Sequence, residues 1–176
     1  MTISAAFLGA ANGIIGGMIT LFAISEIGIL PGPLGIIYGV GGVSALVGAL
    51  FATRVTNRLG VGPTMALGLF SYGVFGFLIP FAPTTIWIAM IFFVVPQIFG
   101  DGFWIMHDIN HTSLQQAIIP ENRLGRVIGA MKVSEKVAAL IGVSIAGIVA
   151  ETVGLRAVLL TGNVIWLIAG AVYLHP

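Results

Sequence analysis

The chain has 176 residues, of which 58% are hydrophobic and 7% charged, with a net charge of +1 at pH 7. A soluble domain of this size cannot cover its surface with so few charges, so the composition excludes a water-soluble globule and points to lipid as the solvent. The absence of cysteine excludes disulfides and thiolate metal sites.

A helix needs about 20 apolar residues to cross a bilayer, which leaves room for about six spans. The first apolar run covers residues 3–24 and is closed by Glu26 and the breaker Pro31-Gly32-Pro33. No basic residue precedes Arg54, so a signal-peptide n-region is missing and the first span carries no orientation signal of its own. A missing upstream portion would account for that. The second run, residues 34–52, stops at Arg54, and residues 53–62 connect it to the third, with Pro63 suited to a first helical turn. The third spans residues 64–81, where Pro80 and Pro83 frame a tight turn. The fourth runs over residues 85–106, its helical pattern continuing towards Ile118 ahead of Pro120. The fifth covers residues 127–150 and the sixth residues 157–173, joined by a hairpin at 151–156. The runs lack the period-2 alternation of an outer-membrane barrel. The reading is therefore one all-α membrane domain of six transmembrane helices.

Six of the seven basic residues lie in the second–third and fourth–fifth connections: Arg54, Arg58, Arg123, Arg126, Lys132 and Lys136. Only Arg156 falls on the other side. By the positive-inside rule the first group is cytoplasmic, and with it both termini of a plasma-membrane (bacterial inner-membrane) protein. Lys132 and Lys136 are read as side chains that snorkel to the headgroups.

Glycines recur at helical spacing. Gly9, Gly13 and Gly17 form a small-residue stripe on the first span, and Gly35 and Gly39 repeat the spacing on the second. Such stripes let helices approach closely where lipid supplies no hydrophobic drive.

The fourth span holds most of the polar chemistry. Counting 1.5 Å per residue from Thr85 puts Asp101 roughly three-quarters of the way across. Gln97, Asp101, Trp104, Asp108, His111 and Gln115 recur at spacings of three and four, on one helical face. Such a face suits a water-filled cavity in which Asp101 exchanges protons as substrate moves; the plain alternative is a helix–helix hydrogen bond, with the residues after Met106 simply solvated. Pro96 in the same span frees a backbone carbonyl and serves either as a fixed kink or as a hinge. Asn12 and Asn163 are uncharged polar groups within lipid depth.

The stretch Gly100-Asp101-Gly102, Asn110, Ser113-Leu114-Gln115-Gln116, Pro120 and Gly125-Arg126 resembles the tenth span and following cytoplasmic loop of major facilitator superfamily transporters. The closest branch is the macrolide-efflux and enterobactin-exporter type, which carries a similar Asn…Ser-Leu-x-Gln…Pro…Gly-Arg sequence. Aligned this way, essentially all 176 residues resemble spans seven to twelve, the C-terminal half of a twelve-span carrier. Asn57-Arg58-Leu59-Gly60 matches the centre of the family's cytoplasmic Gly-x-x-x-Asp-Arg-x-Gly-Arg-Arg signature. Here Asn57 replaces the acid that latches neighbouring helices, and Val61-Gly62-Pro63 replaces the basic pair.

The resemblance implies a half-carrier with an internal three-plus-three inverted repeat. Its implied function is proton-coupled export of drug-like or siderophore-like amphipathic molecules. The implied pocket is wide and apolar, lined by the first, second, fourth and fifth spans, with Phe7, Asn12, Tyr38, Gln97, Phe103 and Trp104 as candidates. Partners would be the bilayer, the substrate, and a separate or missing N-terminal half or a second copy, with no nucleic acid. The competing class is a six-span scaffold or assembly subunit without its own substrate.

Enzyme readings fit poorly. His107-Asp108-Ile109-Asn110-His111 has the i, i+4 histidines of a zinc helix, but Asp108 replaces the expected Glu and the remaining histidine is the distant His175. An aspartyl intramembrane protease needs two carboxylates sharing a proton, and no second mid-span Asp accompanies Asp101. No metal, cofactor or catalytic residue is expected.

Overall fold

The computed structural model describes the backbone of residues 2–172 and the side chains of residues 8–168, so Phe7, Tyr173 and His175 lie outside the described side chains. Every regular element among the described residues is helical, as lipid requires of a backbone that must satisfy its own hydrogen bonds. Helices α1 (Thr2–Ser25), α2 (Pro31–Leu59) and α3 (Val61–Gly76) precede a 3₁₀ turn at Ile79–Phe81. Then come α4 (Ile86–Pro96), a π-helical turn (Gln97–Asp101), α5 (Gly102–Ile118), α6 (Glu121–Val153) and α7 (Leu155–Val172). Five stretches are long and apolar enough to cross a membrane, the fourth being the composite Ile86–Ile118; α7 supplies a shorter one, Leu155–Ile168.

Two expected connections are helix instead. Residues 53–62 are helical except at Gly60, and Gly125 and Arg126, expected in a loop, lie in the first turns of α6. Arginines and asparagines after an apolar run need not end a helix, because leaving lipid does not break i→i−4 hydrogen bonding. What ends α2 is Gly60 at φ 92°, whose N–H closes on the Thr56 carbonyl at 2.8 Å. Gly154 at φ 86° ends α6 in the same manner, its N–H on the Ala150 carbonyl at 2.9 Å.

These two glycine junctions sit at opposite ends of the bundle. Gly60 follows Arg58, and α3 leads from it to the 3₁₀ turn, whose Pro80 carbonyl accepts a hydrogen bond from Arg156, just past Gly154. Each half of the chain thus contains a long helix, a one-glycine junction and a shorter helix, with the second half inverted relative to the first.

Packing follows the small residues. Helix α1 lies along α6 with Gly9 against the Glu135 backbone, Gly13 against the Ala139 backbone and Gly17 against the Val143 side chain. Gly142 answers from α6, against the Ala10 backbone. The second stripe behaves otherwise: Gly35 and Gly39 have nothing near the position a side chain would take, and Gly41 and Gly48 make the close contacts of α2. Helix α3 packs between α5 and α7.

At the end away from the basic clusters, Arg156 is fully engaged. Its Nη1 donates to the Pro80 carbonyl at 2.7 Å, its Nη2 to the Ala82 carbonyl at 3.0 Å and its Nε to Glu26 at 3.2 Å. The guanidinium also stands 5.1 Å from the centre of the Phe22 ring. The lone basic residue on this side therefore ties the end of α1, the α3–α4 turn and the start of α7 together.

Candidate functional site: polar cavities along a broken helix

Pro96 has no N–H to continue the α-helical ladder, and the chain answers with the π-helical turn Gln97–Asp101. The Ser44 hydroxyl of α2 donates to the Ile98 carbonyl inside this turn. Gly41 of α2 leaves room for the Gln97 and Asp101 side chains, and Gly48 for the Gly102 carbonyl. From the opposite side Gly68 of α3 accepts Phe103 and His107. The break in the fourth span is thus held between glycines of two neighbours, which lets its backbone come close without a Cβ in the way.

Asp101 is half-buried and lines a cavity of about 20 Å³ together with Gln97, Tyr72 and Asn163. No basic side chain forms an ion pair with it among the described residues. Asn163 is buried; its Nδ2 donates to the Leu159 carbonyl at 2.8 Å, and its Oδ1 has no partner among the described residues.

One turn nearer the basic end, three aromatic rings close the interior. Trp104 and Trp166 meet edge to face with centroids 4.9 Å apart, and Tyr72 lies 5.0 Å from Trp166 and 5.6 Å from Trp104. His107 stacks on Trp104 at 5.1 Å and His111 on His107 at 5.7 Å. The His107 ring is fixed by a 3.1 Å contact from Nδ1 to the Met65 carbonyl.

Beyond the rings lies a second cavity, of about 50 Å³, between α1, α5 and α6. Asn12 of α1, Asp108, His111 and Gln115 of α5, and Lys132 and Glu135 of α6 line it. Lys132 pairs with Glu135 at 3.1 Å and Lys136 approaches the same carboxylate at 3.9 Å. A third, larger space of about 540 Å³ is an apolar groove between α2 and the broken helix, with Val47, Phe51, Phe99, Phe103 and Met106 in its walls.

The polar face read from the sequence is present but divided. Gln97 and Asp101 line the first cavity, while Trp104, Asp108, His111 and Gln115 line the second, with Asn12. Asp108 and His111 are therefore wall residues of a cavity and not merely solvated ends. Phe103 lines the apolar groove, and Tyr38 lines none of the three, its half-exposed hydroxyl lying 2.8 Å from that of Thr20. Of the described candidates for a single pocket, Gln97 thus lies on the first cavity, Asn12 and Trp104 on the second and Phe103 on the groove. Tyr72, His107 and Trp166 carried no periodic signal against an apolar background. Among the described residues, no group of three His, Asp or Glu side chains is placed to hold a metal.

The motif residues gather at the basic end. Thr56, beside Asn57 and Arg58 of α2, donates to the Asn110 Oδ1 of α5 at 3.0 Å, and the Asn110 Nδ2 donates to the Met106 carbonyl at 2.7 Å. Gln115 is buried, its Nε2 3.4 Å from the His111 Nε2 and 3.9 Å from the Met131 sulfur. Pro120 starts α6, and Arg126 stands exposed in it.

No curated protein and no solved structure is a match to this chain. The family model described as Major Facilitator Superfamily matches residues 1–176. Members of that family are transporters rather than enzymes, and its helical half-carrier architecture is the one described above. With apolar membrane-length helices and a match over its whole length, the chain is a multi-pass membrane protein that belongs to the Major Facilitator Superfamily.

Proposed function

We propose that this chain is the C-terminal half of a proton-coupled exporter of amphipathic molecules, with Asp101 as the coupling carboxylate. The observation that carries this reading is the setting of Asp101: a carboxylate without a cation partner, in a π turn made by Pro96, beside a polar cavity. Ionisable groups within membrane spans are costly and mark ion or proton pathways, and π turns concentrate at functional sites.

The apolar groove supports the substrate class. Ile98, Phe99, Gly102 and Phe103 of its wall flank Asp101 in sequence, so an amphipathic guest and the carboxylate would act on the same short stretch of backbone. A twelve-span carrier binds substrate between two halves, and an N-terminal half would close this groove. The basic end, carrying Arg54, Arg58, Arg123 and Arg126, faces the cytoplasm in this reading.

The test is export by the complete carrier in cells, with a macrolide and a catecholate siderophore as probes. Export should stop when a protonophore collapses the proton gradient, and the isolated chain should confer none. Export that continues without a proton gradient, or robust efflux by the isolated chain, contradicts the proposal.

A further inference from the structure

Two polar cavities are linked by packed aromatic rings inside this six-helix unit: Tyr72 lines the first, Trp104 lines the second, and the two rings pack on each other. Helices α5 and α7 both run from the Arg156 end to the basic end, so Asp101 and Asn163 stand at one level and Trp104 and Trp166 one turn further on. The first cavity, about 20 Å³, has room for a water molecule, which needs roughly 10–15 Å³ and two to four polar partners. Asp101, Gln97 and Asn163 supply such partners, and the Asn163 Oδ1 is 2% exposed as a residue and without any other. A second orphan lies next along α7: Trp166 is 0% exposed and its Nε1 has no acceptor among the described residues. Buried unpartnered polar atoms are rare and are usually met by water or by function. Here one, on Asn163, lines the first cavity, and the other, on Trp166, belongs to a ring packed on Trp104, which lines the second.

We infer that this seam is a water-mediated proton path internal to the six-helix unit, leading from Asp101 past Asn163 and Trp166 to the basic-end cavity, with the Trp104 ring as its gate. The inference rests on Asp101 exchanging protons as proposed above. A proton leaving the Asp101 carboxyl as it ionises enters the path at the first cavity. An equal proton leaves at the second, so no intervening side chain keeps a net charge. The groups that face the second cavity are His107, Asp108 and His111 from α5 and Lys132 and Glu135 from α6, with Asn12 from α1; the imidazoles and carboxylates among them can receive the proton, whereas the ammonium and the amide cannot. Trp104 suits a gate because its ring both lines the second cavity and packs on Tyr72, which lines the first.

The experiment uses the complete carrier in liposomes loaded with a pH dye, without substrate, under an imposed pH gradient with the membrane potential clamped. Trp104→Ala should raise proton flux several-fold over the wild type. Trp104→Phe should keep it low, and Trp104→Ala with Asp101→Asn should return it to the wild-type level. Asn163→Leu, which caps the first cavity with an apolar side chain, should slow proton-driven export. Should Trp104→Ala not fold, the Asn163→Leu arm decides alone. Unchanged proton flux in a folded Trp104→Ala carrier, or unchanged export rate in Asn163→Leu, overturns the path. If Asp101→Asn alone still abolishes proton-driven export in that event, Asp101 remains the coupling group and only the internal route has failed.

Discussion

The two polar cavities on the broken helix differ in how their carboxylates are held. Around Asp101 there is one carboxylate, no basic partner, and close backbone packing against Gly41 and the Ser44-bonded π turn. Around Asp108 there are a second carboxylate, two lysines on Glu135 and a histidine stack, in a roomier space at the end of the bundle. In the first setting the carboxylate has no ionic neighbour among the described residues, whereas in the second Lys132 and Glu135 pair with each other on the wall of the cavity that Asp108 also lines. Both aspartates are partly buried and neither is in an ion pair among the described residues, so what separates them, seven positions apart, is the charged company in their cavities.

That contrast can be broken from its backbone side first. Gly41→Leu places a side chain where the Asp101 and Gln97 side chains lie. Overpacking of this kind costs about 1–3 kcal/mol, and the carrier should lose thermal stability in detergent and all transport. A Gly41→Leu protein with normal melting and export would show that α2 does not support the Asp101 cavity. Next in size is Asp108→Asn. Because Lys132 in that cavity already pairs with Glu135 and not with Asp108, export should fall modestly, by about a factor of ten or less, the equivalent of about 1.4 kcal/mol. A complete loss would erase the distinction between the two cavities. The smallest effect belongs to Gly35→Ala and Gly39→Ala. Nothing stands near either position, so melting should shift by no more than the ±0.5 kcal/mol typical of uncrowded surface sites. A large destabilisation there would reveal a packing partner at that face.

The same glycines show what the sequence can and cannot say. The spacing of Gly9, Gly13 and Gly17 correctly marks a close helix contact, because every one of them meets α6. Gly35 and Gly39 have identical spacing and meet nothing, since spacing defines a face but not what covers it. The bundle and its polar helix face are legible for a physical reason: lipid forces helices, and polar residues stand out on them. The division of that face at Trp104 is not legible, because it depends on the extra residue in the π turn and on Tyr72 and Trp166 arriving from other helices. Helix ends were hard for the opposite reason. Arg54 and Arg58 mark the edge of lipid, while Gly60 alone marks the end of the helix.

The most direct test of Asp101 as the coupling group is transport by Asp101→Asn in the complete carrier, reconstituted beside the wild type at equal membrane abundance. The amide keeps the shape of the carboxyl group and its hydrogen-bonding capacity but cannot release a proton at physiological pH. Uphill export driven by a proton gradient should disappear, while downhill exchange of substrate continues. Unchanged proton-driven export in Asp101→Asn would contradict the account and leave this carboxylate a purely structural role.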